Sequence, residues 1–151
     1  MPAAFGAMRE GDVMAKTWSG AELNVPNDHP ATLLEALARA RRDHGGGMAI
    51  VRDGTAAPLT YDRLVIGAHA LARRLAAVGA PGERLGMLVP SSVPALVAFF
   101  AAHVAGRVPV LLNYSADAET IEQACDLARL KTVVTSRRFI EVGGFEDVEA
   151  R

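Results

Sequence analysis

Few residues in this chain are of a type that does chemistry, and their spacing decides which chemistry is open to them. A nucleotide phosphate is gripped by backbone N–H groups of a glycine-rich turn that leads from a strand into a helix, where the helix N-terminus meets the anion. The triplet Gly45-Gly46-Gly47 lies in the reverse context, after a helical pattern and before an apolar run. Gly79, Gly82 and Gly86 have neither the GxGxxG spacing nor the context, and GxxxxGK[ST] occurs nowhere in the chain. Gly106, in HVAGRVPVLL, also closes a helical pattern ahead of an apolar run, so it reads as a helix stop and not as a phosphate turn.

Metal and nucleophile chemistry are as poorly provided for. His29, His44, His69 and His103 form no HxxxH or HExxH pair that would set two ligands on one helical face, so no zinc site is expected. Cys125 is the single cysteine, which excludes an intrachain disulfide and a CxxC pair. Set between Ala124 and Leu127 on a helical pattern, it reads as a small buried hydrophobe, with a nucleophile as the other reading. No Ser/His/Asp order or carboxylate pair stands out. The expectation is therefore that this chain alone carries no catalytic residue, no metal ligand and no bound cofactor.

What remains are three polar clusters, each directly after an apolar run: Pro90-Ser91-Ser92, Asn113-Tyr114-Ser115 and Thr135-Ser136. Open α/β sheets bind ligands beyond the carboxyl ends of their strands, which is where these clusters fall if the runs are strands. Ser92, Ser115 and Ser136 equally suit helix N-caps and Asn113 suits a turn, so each has a structural reading beside the ligand-binding one. Asn113 and Tyr114 are the candidate substrate-binding residues.

The elements that would position them are legible from periodicity. Thr32 and Glu35 have capping-box spacing, Leu33, Leu34 and Leu37 share a face, and Arg39, Arg41 and Arg42 load the last turn before the glycine triplet. Met48 to Val51 and Ala57 to Leu59 read as an antiparallel hairpin about Asp53-Gly54. Thr60 caps a helix carrying Leu64, Ala68, Leu71, Ala72 and Leu75, running to Gly79 with Pro81 beyond. Residues 84–90 form a buried strand, and Ser92 opens a helix with Pro94 in its first turn that ends at Gly106. Val108 to Leu112 follows as a second buried strand, with Pro109 near its start where a missing N–H is tolerable. Ser115 or Asp117 opens a helix carrying Ile121, Ala124, Cys125 and Ala128, residues 131–135 form a third strand, and Ser136 starts a short terminal helix. Alternating strands and helices predict an α/β fold, a mainly parallel sheet with helices on both faces. Residues 1–30 read as an extended arm or linker ahead of an α/β unit at 31–151.

Composition narrows the class. At 151 residues and 50% hydrophobic content the chain can bury one core. With 16 basic and 17 acidic residues, nothing draws it to nucleic acid or to an anionic membrane. The pairs Arg41-Arg42, Arg73-Arg74 and Arg137-Arg138 read as solvated faces. The opening MPAAFGAMREGDVMAK has neither a basic leader nor a long apolar stretch, and the most apolar window, Val93 to Gly106, is shorter than a bilayer span. The single cysteine suits a cytoplasmic location.

Three segments together carry a resemblance: LTYDRL (59–64), GERLGMLVPSSVPALVAFFAAHVAGRVPVLLNYSA (82–116) and LKTVVTSRRFIE (130–141). In order and content they resemble the N-terminal portion of the adenylate-forming, AMP-binding superfamily of acyl-CoA and acyl-carrier-protein synthetases. LTYDRL resembles the block written LTYxEL, with Arg63 in place of Glu. GRVPVLLNY and VVTSRRFIE look most like the synthetase part of bacterial 2-acylglycerophosphoethanolamine acyltransferase fusions, which implies a place at the cytoplasmic face of the membrane. The resemblance implies a partial N-terminal subdomain of a fatty acid-activating ligase, in which ATP and Mg²⁺ serve the complete enzyme. Its partners would be the remainder of the synthetase or a second copy, with fatty acid and CoA or acyl-carrier protein as substrates. The family's glycine-rich ATP loop ending in lysine, its adenine and ribose contacts and its C-terminal catalytic lysine have no counterpart in these residues, so the chain alone is expected to be inactive. The other reading is a stand-alone, non-catalytic α/β module that binds a partner protein through apolar surface at the edge of an incomplete sheet.

Overall fold

The computed structural model describes residues 30–52, 57–136 and 139–140. Its elements run α1 (Leu33–His44), β1 (Ala49–Val51), β2 (Leu59–Thr60), α2 (Tyr61–Leu75), β3 (Arg84–Met87), α3 (Val93–Val104), β4 (Val108–Leu111), α4 (Ala118–Leu127) and β5 (Val133–Val134). The arm expected at the start and the Asp53-Gly54 turn lie outside the described residues, apart from Pro30.

Each of α1 to α4 begins on a side-chain cap that satisfies one of its orphan N–H groups. Thr32 Oγ1 accepts from Glu35 N at 3.1 Å, Thr60 Oγ1 from Arg63 N at 3.3 Å, Ser92 Oγ from Ala95 N at 3.4 Å and Asp117 Oδ1 from Thr120 N at 2.8 Å. Asp117, not Ser115, therefore opens α4. The capping box at α1 is offset by one residue, because the Glu35 carboxylate accepts from Ala31 N at 2.8 Å, ahead of the cap.

Helix ends differ more from expectation. At α3 the chain turns through Gly106 at φ +69°, with Gly106 N donating to His103 O and Arg107 N to Ala102 O, the paired bonds of a Schellman motif. The same motif closes α4 with Arg129 in the left-handed position, at φ 51°. α2 was expected to reach Gly79 but stops at Leu75, and the chain then tightens into three-residue turns, Ala77 N to Arg74 O and Val78 N to Leu75 O. Gly79 serves a different purpose: a Cβ there would overlap the Arg107 guanidinium.

β1 and β2 pair antiparallel, with Ala49 opposite Thr60 and a register irregularity before Val51 and Leu59. β3, β4 and β5 form a parallel sheet in the order β4-β3-β5. Along β3 the side chains alternate between the two faces. Leu85 packs with Ala68, Ala72, Leu75, Ala101 and Ala102 of α2 and α3, where the four alanines let the two helices approach closely. Gly86 and Leu88 face the other way, where Leu88 joins Leu112 and Ile121 under α4. A Cβ on Gly86 would come within 2.8 Å of Leu130 and 3.0 Å of Val133, so the central strand accepts only glycine there without repacking. Helices thus cover both faces of a mainly parallel sheet.

Two expectations are corrected. The strands are shorter than the apolar runs: β3 ends at Met87, although Leu88 N still donates to Val134 O, and β5 covers Val133–Val134 alone. β4 is also not buried. It is an edge strand of this sheet among the described residues, with Val108 49% and Leu111 69% exposed. Val108 N donates to Glu83 O and Leu112 N to Met87 O, so the intervening N–H positions at 109 and 111 point away from β3. Pro109 has no N–H to leave unpaired there.

At the amino end of the sheet, Arg107 is buried to 2% exposure. Its Nε donates to Glu83 O at 3.2 Å and its Nη2 to Arg84 O at 3.4 Å, with the Glu83 carboxylate 3.9 Å away. Lys131 Nζ reaches the same carboxylate at 2.8 Å. The cluster ties the starts of β3, β4 and β5 together, so this arginine holds the fold at the end opposite the polar clusters.

Candidate functional site

The carboxyl ends of β3 and β4 and the first turns of α3 enclose a groove of about 450 Å³. Leu96 and Phe99 project from α3, Met87 and Leu111 from the strands, and Tyr114 from the turn after β4. Ser91 and Ser92 supply its polar groups along with the Tyr114 phenol, and no charged side chain lines it. Such a surface suits an extended apolar moiety held by a few hydrogen bonds at the rim.

The sequence-predicted residues fare differently from one another here. Tyr114, 37% exposed, lines the groove, with its ring edge-on to Phe139 at 6.0 Å between centroids. Asn113 is not part of the lining: its Oδ1 accepts from Ser115 N at 3.0 Å and its carbonyl from Ala116 N at 3.1 Å, a side-chain-closed turn that aims the chain into α4. Ser92 spends its hydroxyl locally, accepting from Ala95 N and donating to Pro90 O at 3.0 Å. Ser136 Oγ accepts from Phe139 N at 3.2 Å. Ser91 and Ser115 are exposed. Thr135 Oγ1 is buried and has no hydrogen-bond partner among the described residues. Periodicity did not single out the apolar lining, because Leu96, Phe99 and Leu111 look like ordinary core residues. Pro109 was the available signal, since a proline inside a strand pattern points to an edge strand whose neighbours are partly open.

Cys125 packs against the Leu88–Leu112–Ile121 cluster. Burial pushes its thiol pKa up, and the nearby Asp126 and Glu122 charges push it further in the same direction. A thiol held protonated is a weak nucleophile. Among the described residues no group of three or more His, Cys, Asp or Glu could hold a metal ion, and no helix is long and apolar enough to cross a membrane.

Comparison with known proteins adds what the geometry alone does not. A family model described as AMP-binding enzyme matches residues 37–150. Over 61 residues the chain is 43% identical to the long-chain-fatty-acid–AMP ligase FadD32 of Mycolicibacterium smegmatis, a match covering 40% of this chain and 10% of that protein. Among solved structures, the N-terminal domain of FACL13 from Mycobacterium tuberculosis superposes with a TM-score of 0.65 at 24% identity, covering 76% of this chain and 29% of that one. A fatty acid AMP ligase from Legionella pneumophila gives 0.59 at 23%, covering 70% and 20%. At these identities the structural matches establish the fold. The chain spans about a tenth of the curated relative and under a third of either solved chain.

Proposed function

The chain belongs to the AMP-binding enzyme family, and from that premise we propose that it serves as the N-terminal subdomain of a fatty acid-activating ligase, residues 31–151 forming the subdomain. In that reaction a fatty carboxylate attacks ATP, giving an acyl-adenylate and releasing pyrophosphate, and the acyl group then passes to the thiol of CoA or of a carrier protein. The observation that carries the reading is the uncharged apolar groove beyond β3 and β4, suited to one wall of an acyl or pantetheine channel. Tyr114 is the groove's polar handle, and Asn113 sets the turn that presents it.

The first step holds two anions together, which takes a lysine, a backbone nest and Mg²⁺. The glycine-rich loop ending in lysine is not among these 151 residues. The 151-residue chain mixed with ATP, Mg²⁺ and fatty acids is accordingly expected to release no pyrophosphate above background. Release without a partner would place the phosphate clamp within this chain and overturn the assignment. The thiol acceptor in this reading is CoA or a carrier protein, and a cytoplasmic setting belongs to the same reading.

A second reading is favoured by the exposure of Val108 and Leu111 on an edge strand: a non-catalytic module that recruits a protein partner there. A monodisperse monomer by light scattering, at concentrations where apolar surfaces associate, counts against it.

A further inference from the structure

α1 is amphipathic, yet none of its residues is buried, and Leu33 is 49% exposed. Its apolar stripe meets α2 and α3 without any α1 residue becoming buried. The space between is a cleft of about 540 Å³, floored by Leu34, Leu37, Ala38, Val65, Ala68 and Val104. That volume lies within the roughly 300–1,000 Å³ typical of small-molecule sites. It shares no lining residue with the strand-end groove.

The polar groups of this cleft are Arg41, Arg42 and His69. They differ in what they have left to offer. Arg41 is engaged by the Asp62 carboxylate at 2.6 Å, and the neighbouring Arg39 lies 3.8 Å from Asp43. His69 directs Nδ1 at Val65 O, 2.9 Å away, and since a carbonyl only accepts, that nitrogen carries the proton. The Arg42 side chain makes no ion pair or hydrogen bond among the described residues. No carboxylate is in the lining itself. An apolar floor with one guanidinium uncommitted among the described residues selects an amphiphile with an anionic head. A peptide would lay unpaired N–H and C=O groups on that floor at a cost, whereas an alkyl chain has none. A carboxylate matches the fork of an arginine.

We propose that the α1–α2–α3 cleft is a binding site for a single fatty carboxylate, with its chain on the Leu34–Leu37–Val65 floor and its head at Arg42. The site is separate from the strand-end groove and stands whether or not the ligase reading holds.

The test is calorimetric titration of the 151-residue chain with laurate kept below micelle formation, with dodecanol as the uncharged probe. One laurate per chain is expected. Arg42→Glu is expected to weaken laurate about tenfold or more, as for loss of a charge-assisted bond, and to leave dodecanol binding unchanged. Ala38→Trp, and more mildly Ala38→Leu, fill the cleft and are expected to reduce binding of both probes. Ala38 is exposed, so thermal unfolding monitored in parallel should show these variants folded. Equal laurate affinity in Arg42→Glu, undiminished binding in both Ala38 variants, or no saturable binding overturns the proposal. So does binding lost in Tyr114→Ala but kept in the Ala38 variants, which would place the chain in the strand-end groove. Absent binding together with a doubled mass in light scattering would show a second copy in the cleft, and overturns it as well.

Discussion

Glu83 is the residue on which the amino end of the sheet turns. The Lys131 hydrogen bond, the Ala80 N–H, and the Lys131 and Arg107 charges hold its carboxyl below the usual value near 4.5. A folded-state pKa below the unfolded one means that, as pH falls, the unfolded chain takes up its proton first. The stabilisation is complete above the ordinary carboxylate range and is lost as pH drops through the lowered folded value. Glu83→Gln should therefore be less stable than the parent at pH 7 and lose stability less steeply in acid, read from urea midpoints between pH 7 and pH 3. Asp117, whose pKa is lowered first by the Thr120 N–H, keeps its own share of the acid slope in that variant. A variant as acid-sensitive as the parent would show that Glu83 contributes nothing to the latch. Arg107 itself was not singled out by reading the chain. A lone arginine between a helix stop and a strand looks like surface, and its burial depends on Gly79, some 28 residues earlier in the chain by numbering, leaving room for the guanidinium.

At the scale of elements, starts were more legible than stops. Thr32, Thr60, Ser92 and Asp117 cap because an oxygen on a short side chain reaches the third N–H of its own helix, a purely local matter. Stops depend on what the chain meets next. Gly106 signals its own left-handed turn, but Arg129 occupies the equivalent position after α4 with nothing in its type to announce it. A β-carbon in the left-handed region costs about 1–2 kcal/mol, and glycine gives back part of that gain as unfolded-state entropy. Arg129→Gly should then stabilise the chain by about 0.5–1 kcal/mol in denaturant titration. A destabilised variant would show that the arginine side chain contributes more than its strained backbone costs. The candidate site divides along the same line. Tyr114 could be placed beyond a strand because the rule for α/β sheets is topological, whereas Leu96, Phe99 and Leu111 share one groove only through the relative placement of α3 and β4.

For the whole molecule, an alternating strand and helix pattern was enough to foresee a parallel sheet covered on both faces, but not which strand lies at an edge. VPVLL reads as buried because apolar content tracks strand type, while burial depends on the neighbours. The parallel ladder sends the N–H groups of Val108, Val110 and Leu112 toward β3 and leaves positions 109 and 111 facing outward. A proline at 109 removes one of the two outward donors and so blunts an edge that Leu111, 69% exposed, would otherwise make adhesive. Replacing it supplies the missing donor and turns the segment into an unbroken β-branched and leucine run. Pro109→Val should fold as the parent does, because no N–H toward β3 is involved, yet associate at lower concentration in light scattering. Adding Leu111→Lys to that variant should restore the parent's behaviour, since a charge on the outward face opposes strand-to-strand pairing. If Pro109→Val stays as monodisperse as the parent, some other feature protects the β4 edge.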